Sequence, residues 1–268
     1  MPPSRGSVWF AGLTGAAGIV SGAPASIRMA DASLGAETAR FLAVLPDPEG
    51  RFPRARHGEV GLEEAWTLAR QVQHTMAADT GRQRRPIIAI VDVSSQAYGR
   101  LEEMLGLHLA CAAAVEAYAT ARLAGHPITA LLVGKAMSGA FLAHGYQANR
   151  MVALDDPGVI VNAMGKTAAA RIMRRSVEDL DASILQCPPM AYDIKTYARW
   201  GLLHQLVSVA DADNPGPADI ETVRDALVAA TLDARRGPRD LSSRLLDADG
   251  RLASIRVRQR LAEQWDDP

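Results

Sequence analysis

The sequence predicts an α/β domain built on a parallel sheet, and three observations predict it. The run Ile87-Ile88-Ala89-Ile90-Val91-Asp92-Val93 is almost unbroken in apolar character, which is the mark of a strand covered on both faces. A second apolar run, Ile128 to Val133, has the same character and stops at Gly134. Each run is followed by a loop and then by residues at helical spacing, and strand-loop-helix units in succession give parallel strands joined by right-handed crossovers. Ligands in such sheets bind beyond the carboxyl ends of the strands, so Ser94 to Arg100 and Gly134 to Ala140 are expected to face one cavity.

The remaining elements follow in order. Residues 1–25 read as a glycine-rich N-terminal tail. Arg5, the run Val8 to Leu13 and Ala23-Pro24-Ala25-Ser26 loosely imitate a secretory signal, but the run is short and broken by Gly12, Gly15 and Gly18. Ile27 to Ala30 and Phe41 to Leu45 read as strands, the second closed by Pro46-Asp47-Pro48. Leu62, Ala65, Trp66, Ala69 and Val72 recur at helical spacing, predicting a helix from about Gly61 to His74, with Glu63 and Glu64 on a solvated face. Leu101, Met104, Leu105, His108, Cys111, Ala112 and Val115 predict one long helix ending near Gly125. Met151 to Leu154 and Val159 to Val161 read as two strands hinged at Asp155-Asp156-Pro157-Gly158. Helices are expected from near Gly165, after the cap Ser176, and over Tyr192 to Trp200, with Pro188-Pro189 as a stop between the last two. A strand at Leu206 to Val209 closes a domain over residues 26–214, and a helical extension occupies residues 215–268, its last part rich in arginine.

Composition narrows the function. A formal net charge of -1 with 22% charged residues argues against a general nucleic-acid binder or a polybasic membrane anchor. No apolar run approaches the roughly 20 residues a bilayer span needs. Cys111 and Cys187 are far apart and outside any Cys/His cluster, so no metal site is expected, and each reads as a small buried apolar residue of a protein in the reducing cytoplasm.

Gly165-Lys166-Thr167 resembles the end of a phosphate-binding loop, but the pattern's first glycine falls at Ile160. Gly134 to Gly139 is not the Gly-x-Ser-x-Gly elbow of hydrolases, which leaves Ser138 without a nucleophile's context. Gly134 and Gly139 bracket a strand-to-helix turn where the backbone can approach a bound group, and the first amides of that helix suit an oxyanion or a carboxylate. His144 and Tyr146 lie one turn or more beyond Ser138, near enough to be proton donors. Arg171, Arg174 and Arg175 share a helix face suited to an acidic partner or to solvent.

Several of these stretches carry a family resemblance. Asp92-Val93, a polar glycine-containing loop, Glu102-Glu103, a long alanine-rich helix and Gly134-Lys135-Ala136-Met137-Ser138-Gly139-Ala140 resemble the carboxyltransferase branch of the crotonase superfamily. Val161-Asn162-Ala163-Met164-Gly165 and Gly201-Leu202-Leu203 through Val207 are similar to two further segments of that branch. Within it, the stretches Phe41 to Val44, Arg51 to Glu64, Gly139 to Arg150 and Pro188-Pro189-Met190-Ala191-Tyr192 resemble the gamma subunits of biotin-independent malonate decarboxylases.

The resemblance implies a crotonase-like ββα-superhelix, a heterodimer with a similar beta subunit, and alpha and acyl-carrier delta subunits as further partners. It implies decarboxylation of a malonyl thioester carried on the prosthetic group of the acyl carrier protein, with no cofactor held by this chain. Substrate binding maps onto Ser94, Ser95, Gln96, Gly99 and Gly134, and catalysis onto Ser138, Gly139 and Ala140, with Tyr98 or His144 handing over the proton. Arg171, Arg174 and Arg175 are the partner-binding candidates. Biotin-dependent relatives carry a proline-glycine-phenylalanine loop where this chain has Ser94-Ser95-Gln96, a departure that fits an enzyme using no biotin. The alternatives are a subunit of a biotin-dependent carboxyltransferase and a non-catalytic scaffold.

Overall fold

The computed structural model describes residues 3–15, 22–187, 190–245 and 248–265; the expected stop at Pro188-Pro189 lies outside them. Seven strands form one sheet: β1 (Ile27–Leu34), β2 (Glu37–Val44), β3 (Ile87–Val93), β4 (Ile128–Met137), β5 (Arg150–Leu154), β6 (Ile160–Asn162) and β7 (Gln205–Val207). They run in the order β1-β2-β3-β4-β5-β7, with β6 paired to the far end of β4. Among these strands β1 and β2 pair antiparallel and the other ladders are parallel. The near-continuous apolar runs of β3 and β4 are central, and almost all their side chains are buried.

Two helix layers cover them. α1 (Arg5–Thr14) packs on the sheet with α9 (Pro217–Arg236), while α2 (Leu62–Ala78) packs on α4 (Leu107–Leu123). The short α3 (Arg100–Met104) precedes α4 in the chain. The single helix expected after Leu101 is thus two, because Gly106 takes a left-handed conformation at φ 85° and turns the chain before α4 begins.

Two expectations are corrected, one in the N-terminal segment and one on α2. Within the expected tail, Arg5 to Thr14 fold as α1, and Trp9, Phe10 and Leu13 are buried in the main core. Arg5 pairs with both Asp156 and Asp213 at 2.6 Å, and the Trp9 indole N–H donates to the Ala212 carbonyl. The C-terminal part is helical, as expected, and Val223, Ala226, Leu227 and Ala230 of α9 join the same core. α10 (Ala248–Trp265) stands largely exposed, with Val257, Leu261 and Trp265 in solvent. Glu64 is buried, its carboxylate accepting the Ser26 hydroxyl and the Gly61 amide at the start of α2, and burial raises its pKa.

β4 does not stop at Gly134 but runs on to Met137. A side chain at Gly134 would collide with the Asp92 carboxylate of the neighbouring strand. That carboxylate accepts the Lys135 amide and the Gly6 amide of α1, both at 3.1 Å, and so ties β3, β4 and α1 together.

Candidate active site

The geometry begins with register. β3 and β4 pair in parallel as far as Val93 and Ala136, so their chain exits lie side by side. From β3 the chain enters the loop Ser94 to Gly99, which is clamped by Val60: the Val60 amide donates to the Ser95 carbonyl at 3.0 Å and the Ala97 amide to the Val60 carbonyl at 2.9 Å. From β4 the chain enters α5 (Ser138–Ala143). Ser138 sits at φ 55°, a left-handed conformation that costs a non-glycine residue about 1–3 kcal/mol. The turn is therefore made at Ser138 itself, with Gly134 still inside the strand.

Gln96 joins the two loops. Its side-chain oxygen accepts the Ser138 hydroxyl at 2.7 Å and the Gly139 amide at 2.8 Å. A side chain at Gly139 would crowd that carboxamide, at 3.1 Å from Oε1 and 3.2 Å from Cδ. The Gly139 amide expected to be bare is thus occupied by a protein carbonyl. Ala140, fully buried, is the third residue of α5, where helix geometry gives an amide no carbonyl one turn earlier.

A cavity of about 460 Å³ opens beside this junction, walled by Gln96, Ser138 and Gly139 and by Phe141, Tyr146 and Trp200. Val161, Asn162, Tyr197 and Leu202 complete much of its wall, and among the described residues none that faces it is charged. Asn162 comes from β6, whereas Tyr197 lies on α8 (Ile194–Arg199) with Trp200 as its C-terminal cap. The Tyr197 to Trp200 spacing, three residues apart on one predicted helix, was the sequence signal for these walls; nothing local tied it to the Gln96 loop. A larger cavity of about 850 Å³ lies along α2 between Arg51, Trp66 and Leu105, and none of the loop donors lines it.

Several expected site residues are elsewhere. His144 is fully buried, and its Nε2 meets the Ile90 carbonyl at 2.9 Å. A carbonyl only accepts, so Nε2 carries the proton and Nδ1 accepts from the Tyr118 hydroxyl at 3.1 Å. Burial holds its pKa down at about 4, and with both nitrogens engaged it is a structural group and not a proton donor to the cavity. Tyr98 is 57% exposed and no wall of the cavity. The space beside Gly134 is taken by Asp92, which removes it from substrate binding. Gly99 caps the N-terminus of α3, its bare Cα facing Glu102. The Ser95 hydroxyl donates to the Gln96 backbone carbonyl, and Ser94 does not line the cavity. Cys187, expected to be buried, is exposed. Arg171, Arg174 and Arg175 lie exposed at the end of α6 (Lys166–Met173), away from the cavity and beside exposed Ile172 and Met173. The Arg175 guanidinium donates to Ser183 on α7 (Val177–Gln186).

The neutral state of His144 has a measurable consequence. The unfolded chain binds its imidazole proton near pH 6.5 and the native protein only near pH 4, so the native state loses stability as pH falls through that window. Wild type is expected to lose about 1 kcal/mol per pH unit more than His144→Asn there. Urea unfolding at a series of pH values reads the difference; equal slopes would remove the neutral-imidazole assignment.

Two solved Pseudomonas malonate decarboxylase structures, a hetero-tetramer in complex with coenzyme A and an MdcD-MdcE hetero-dimer, contain a chain similar to this one. They are 58% and 57% identical, with TM-scores of 0.93 and 0.91, each covering 98% of this chain and 100% of that chain. A transcarboxylase 12S structure, 19% identical with a TM-score of 0.64 over 86% of this chain and 41% of that one, shares the crotonase-like carboxyltransferase fold. The malonyl-S-ACP:biotin-protein carboxyltransferase MADD of Malonomonas rubra is 36% identical over 165 residues, which are 60% of this chain and 56% of that relative. The family model for the malonate decarboxylase gamma subunit matches residues 55–265, and the chain belongs to that family.

Proposed function

We propose that this chain acts with a beta subunit to decarboxylate malonyl-S-acyl-carrier-protein to the acetyl thioester and CO2. The observation that carries the reading is that, in a chain of this family, the loops leaving β3 and β4 meet at one uncharged cavity. The carbon–carbon bond to the carboxylate breaks, CO2 leaves, and the bonding electron pair passes into a thioester enolate whose carbon then takes up a proton. The enolate needs preorganised donors, which we assign to the partner subunit, while this chain holds the departing carboxylate. Gln96, from the loop Ser94 to Tyr98, and the Gly139-Ala140 turn form its side of the site. An alpha subunit and an acyl-carrier delta subunit complete the assembly in the cytoplasm. The thioester rides on the carrier's prosthetic group, and this chain holds no cofactor of its own. Arg171, Arg174 and Arg175, beside exposed Ile172 and Met173, are assigned to subunit contact.

The test is turnover of the malonyl-carrier substrate by the reconstituted complex, with avidin present to exclude biotin-dependent transfer. Gly139→Pro removes the amide that fixes the Gln96 carboxamide. It is expected to lower the rate about 10²-fold while the complex still assembles. An unchanged rate, with Arg171→Ala or Arg174→Ala weakening assembly, would instead make the chain a scaffold.

A further inference from the structure

We propose that the side-chain amide nitrogen of Gln96 is the donor that receives the malonyl carboxylate, and that Ser138 is a positioning residue that aims it. The proposal rests on the decarboxylase reading and names the group that reading leaves open. A backbone N–H can only donate, so the Gln96 atom 2.8 Å from the Gly139 amide is the carbonyl oxygen and the carboxamide admits no flip. The Ser138 hydroxyl donates to the same oxygen and so spends its own proton inside the protein. Ser138 therefore offers an incoming carboxylate only lone pairs. The Gln96 NH2 group, on the other branch of the amide, keeps two donors; among the described residues no acceptor is bonded to it, and Gln96 borders the cavity.

The rest of the cavity suits the reaction. Among the described residues its walls carry no charge, and the Tyr197 hydroxyl, on a side chain that is 8% exposed, has no partner. A cation facing the carboxylate would stabilise the ground state by its full charge and resist CO2 loss. A neutral amide orients the carboxylate through a dipole and holds it less tightly, and only stabilisation that is greater in the transition state raises the rate. The apolar walls then surround a product that is neutral. The strained conformation of Ser138 has a use here, since it brings the hydroxyl and the next amide to bear on one oxygen.

Gln96→Glu, Gln96→Ala, Ser138→Ala and the double variant Gln96→Ala with Ser138→Ala are compared in the complex with the beta subunit. Gln96→Glu replaces the donor by an oxygen anion and is expected to lower kcat/KM for the malonyl thioester about 10²-fold or more at neutral pH. Its activity relative to wild type should recover as the pH is lowered, because the protonated acid regains one donor. Binding of the acetyl-carrier product, which has no carboxylate, should stay unchanged and report an intact complex. Ser138→Ala should cost about tenfold and add nothing to Gln96→Ala, since it acts only through that side chain. Turnover by Gln96→Glu within threefold of wild type, equal weakening of malonyl and acetyl binding, or full additivity of Ser138→Ala with Gln96→Ala would each overturn the proposal while leaving the decarboxylase reading in place. A wild-type complex that turns over no malonyl thioester overturns both.

Discussion

Removal of residues 1–15 is expected to leave a chain that does not fold, even when co-expressed with its beta subunit. Trp9, Phe10 and Leu13 are 0%, 5% and 1% exposed, and burying each such side chain contributes about 1.5–3 kcal/mol. Their sum, about 5–9 kcal/mol, is of the size of a whole domain's stability, about 5–15 kcal/mol. The polar losses act in the same direction. Without α1 the Asp92 carboxylate loses the Gly6 amide, the Ala212 carbonyl loses the Trp9 indole, and Asp156 loses Arg5. Trp9→Ala is a gentler form of the same test, with an expected loss of about 3–5 kcal/mol read from the urea midpoint. Soluble truncated protein melting at the wild-type temperature would show that α1 is dispensable.

That helix also shows where sequence reasoning stopped. β3 and β4 were legible because branched apolar runs bounded by polar loops have few other solutions, and their parallel order placed the two loops side by side. α1 was hidden by glycine-rich flanks that imitate a processed leader, and its burial depends on strands far along the chain. His144 looked near enough to the loop to act, but its distance along the helix says nothing of the Tyr118 hydroxyl and the Ile90 carbonyl that hold it inside. Gln96 was legible only as one residue of a polar loop. Its reach across to Ser138 and Gly139 depends on Val60, from a third segment, clamping the backbone on either side of it. Two of the aromatic walls, Tyr197 and Trp200, come from about a hundred residues downstream, and no local pattern assigns them to this cavity.

Gly134→Ala is expected to cost about 3 kcal/mol or more and to take the activity with it, although the residue lies in an ordinary extended strand and touches no substrate. The new methyl group would lie 2.7 Å from the Asp92 Cγ and closer still to one carboxylate oxygen. Overpacking of this kind costs about 1–3 kcal/mol. Moving the carboxylate aside leaves the Gly6 and Lys135 amides short of their acceptor, at about 1–3 kcal/mol for each that stays buried and unpaired. The distortion falls between β3 and β4, just before the chain exits that carry Gln96 and Ser138, so decarboxylation should fall along with the urea midpoint. Asp92→Ala removes the colliding oxygens. In that background Gly134→Ala should cost less than 1 kcal/mol, and the two changes together much less than the sum of each alone. Strict additivity would mean that the glycine is required for some reason other than the carboxylate it makes room for. A coupling of several kcal/mol would show that a residue usually read as a strand breaker is here the condition for tying α1, β3 and β4 into the support of the site.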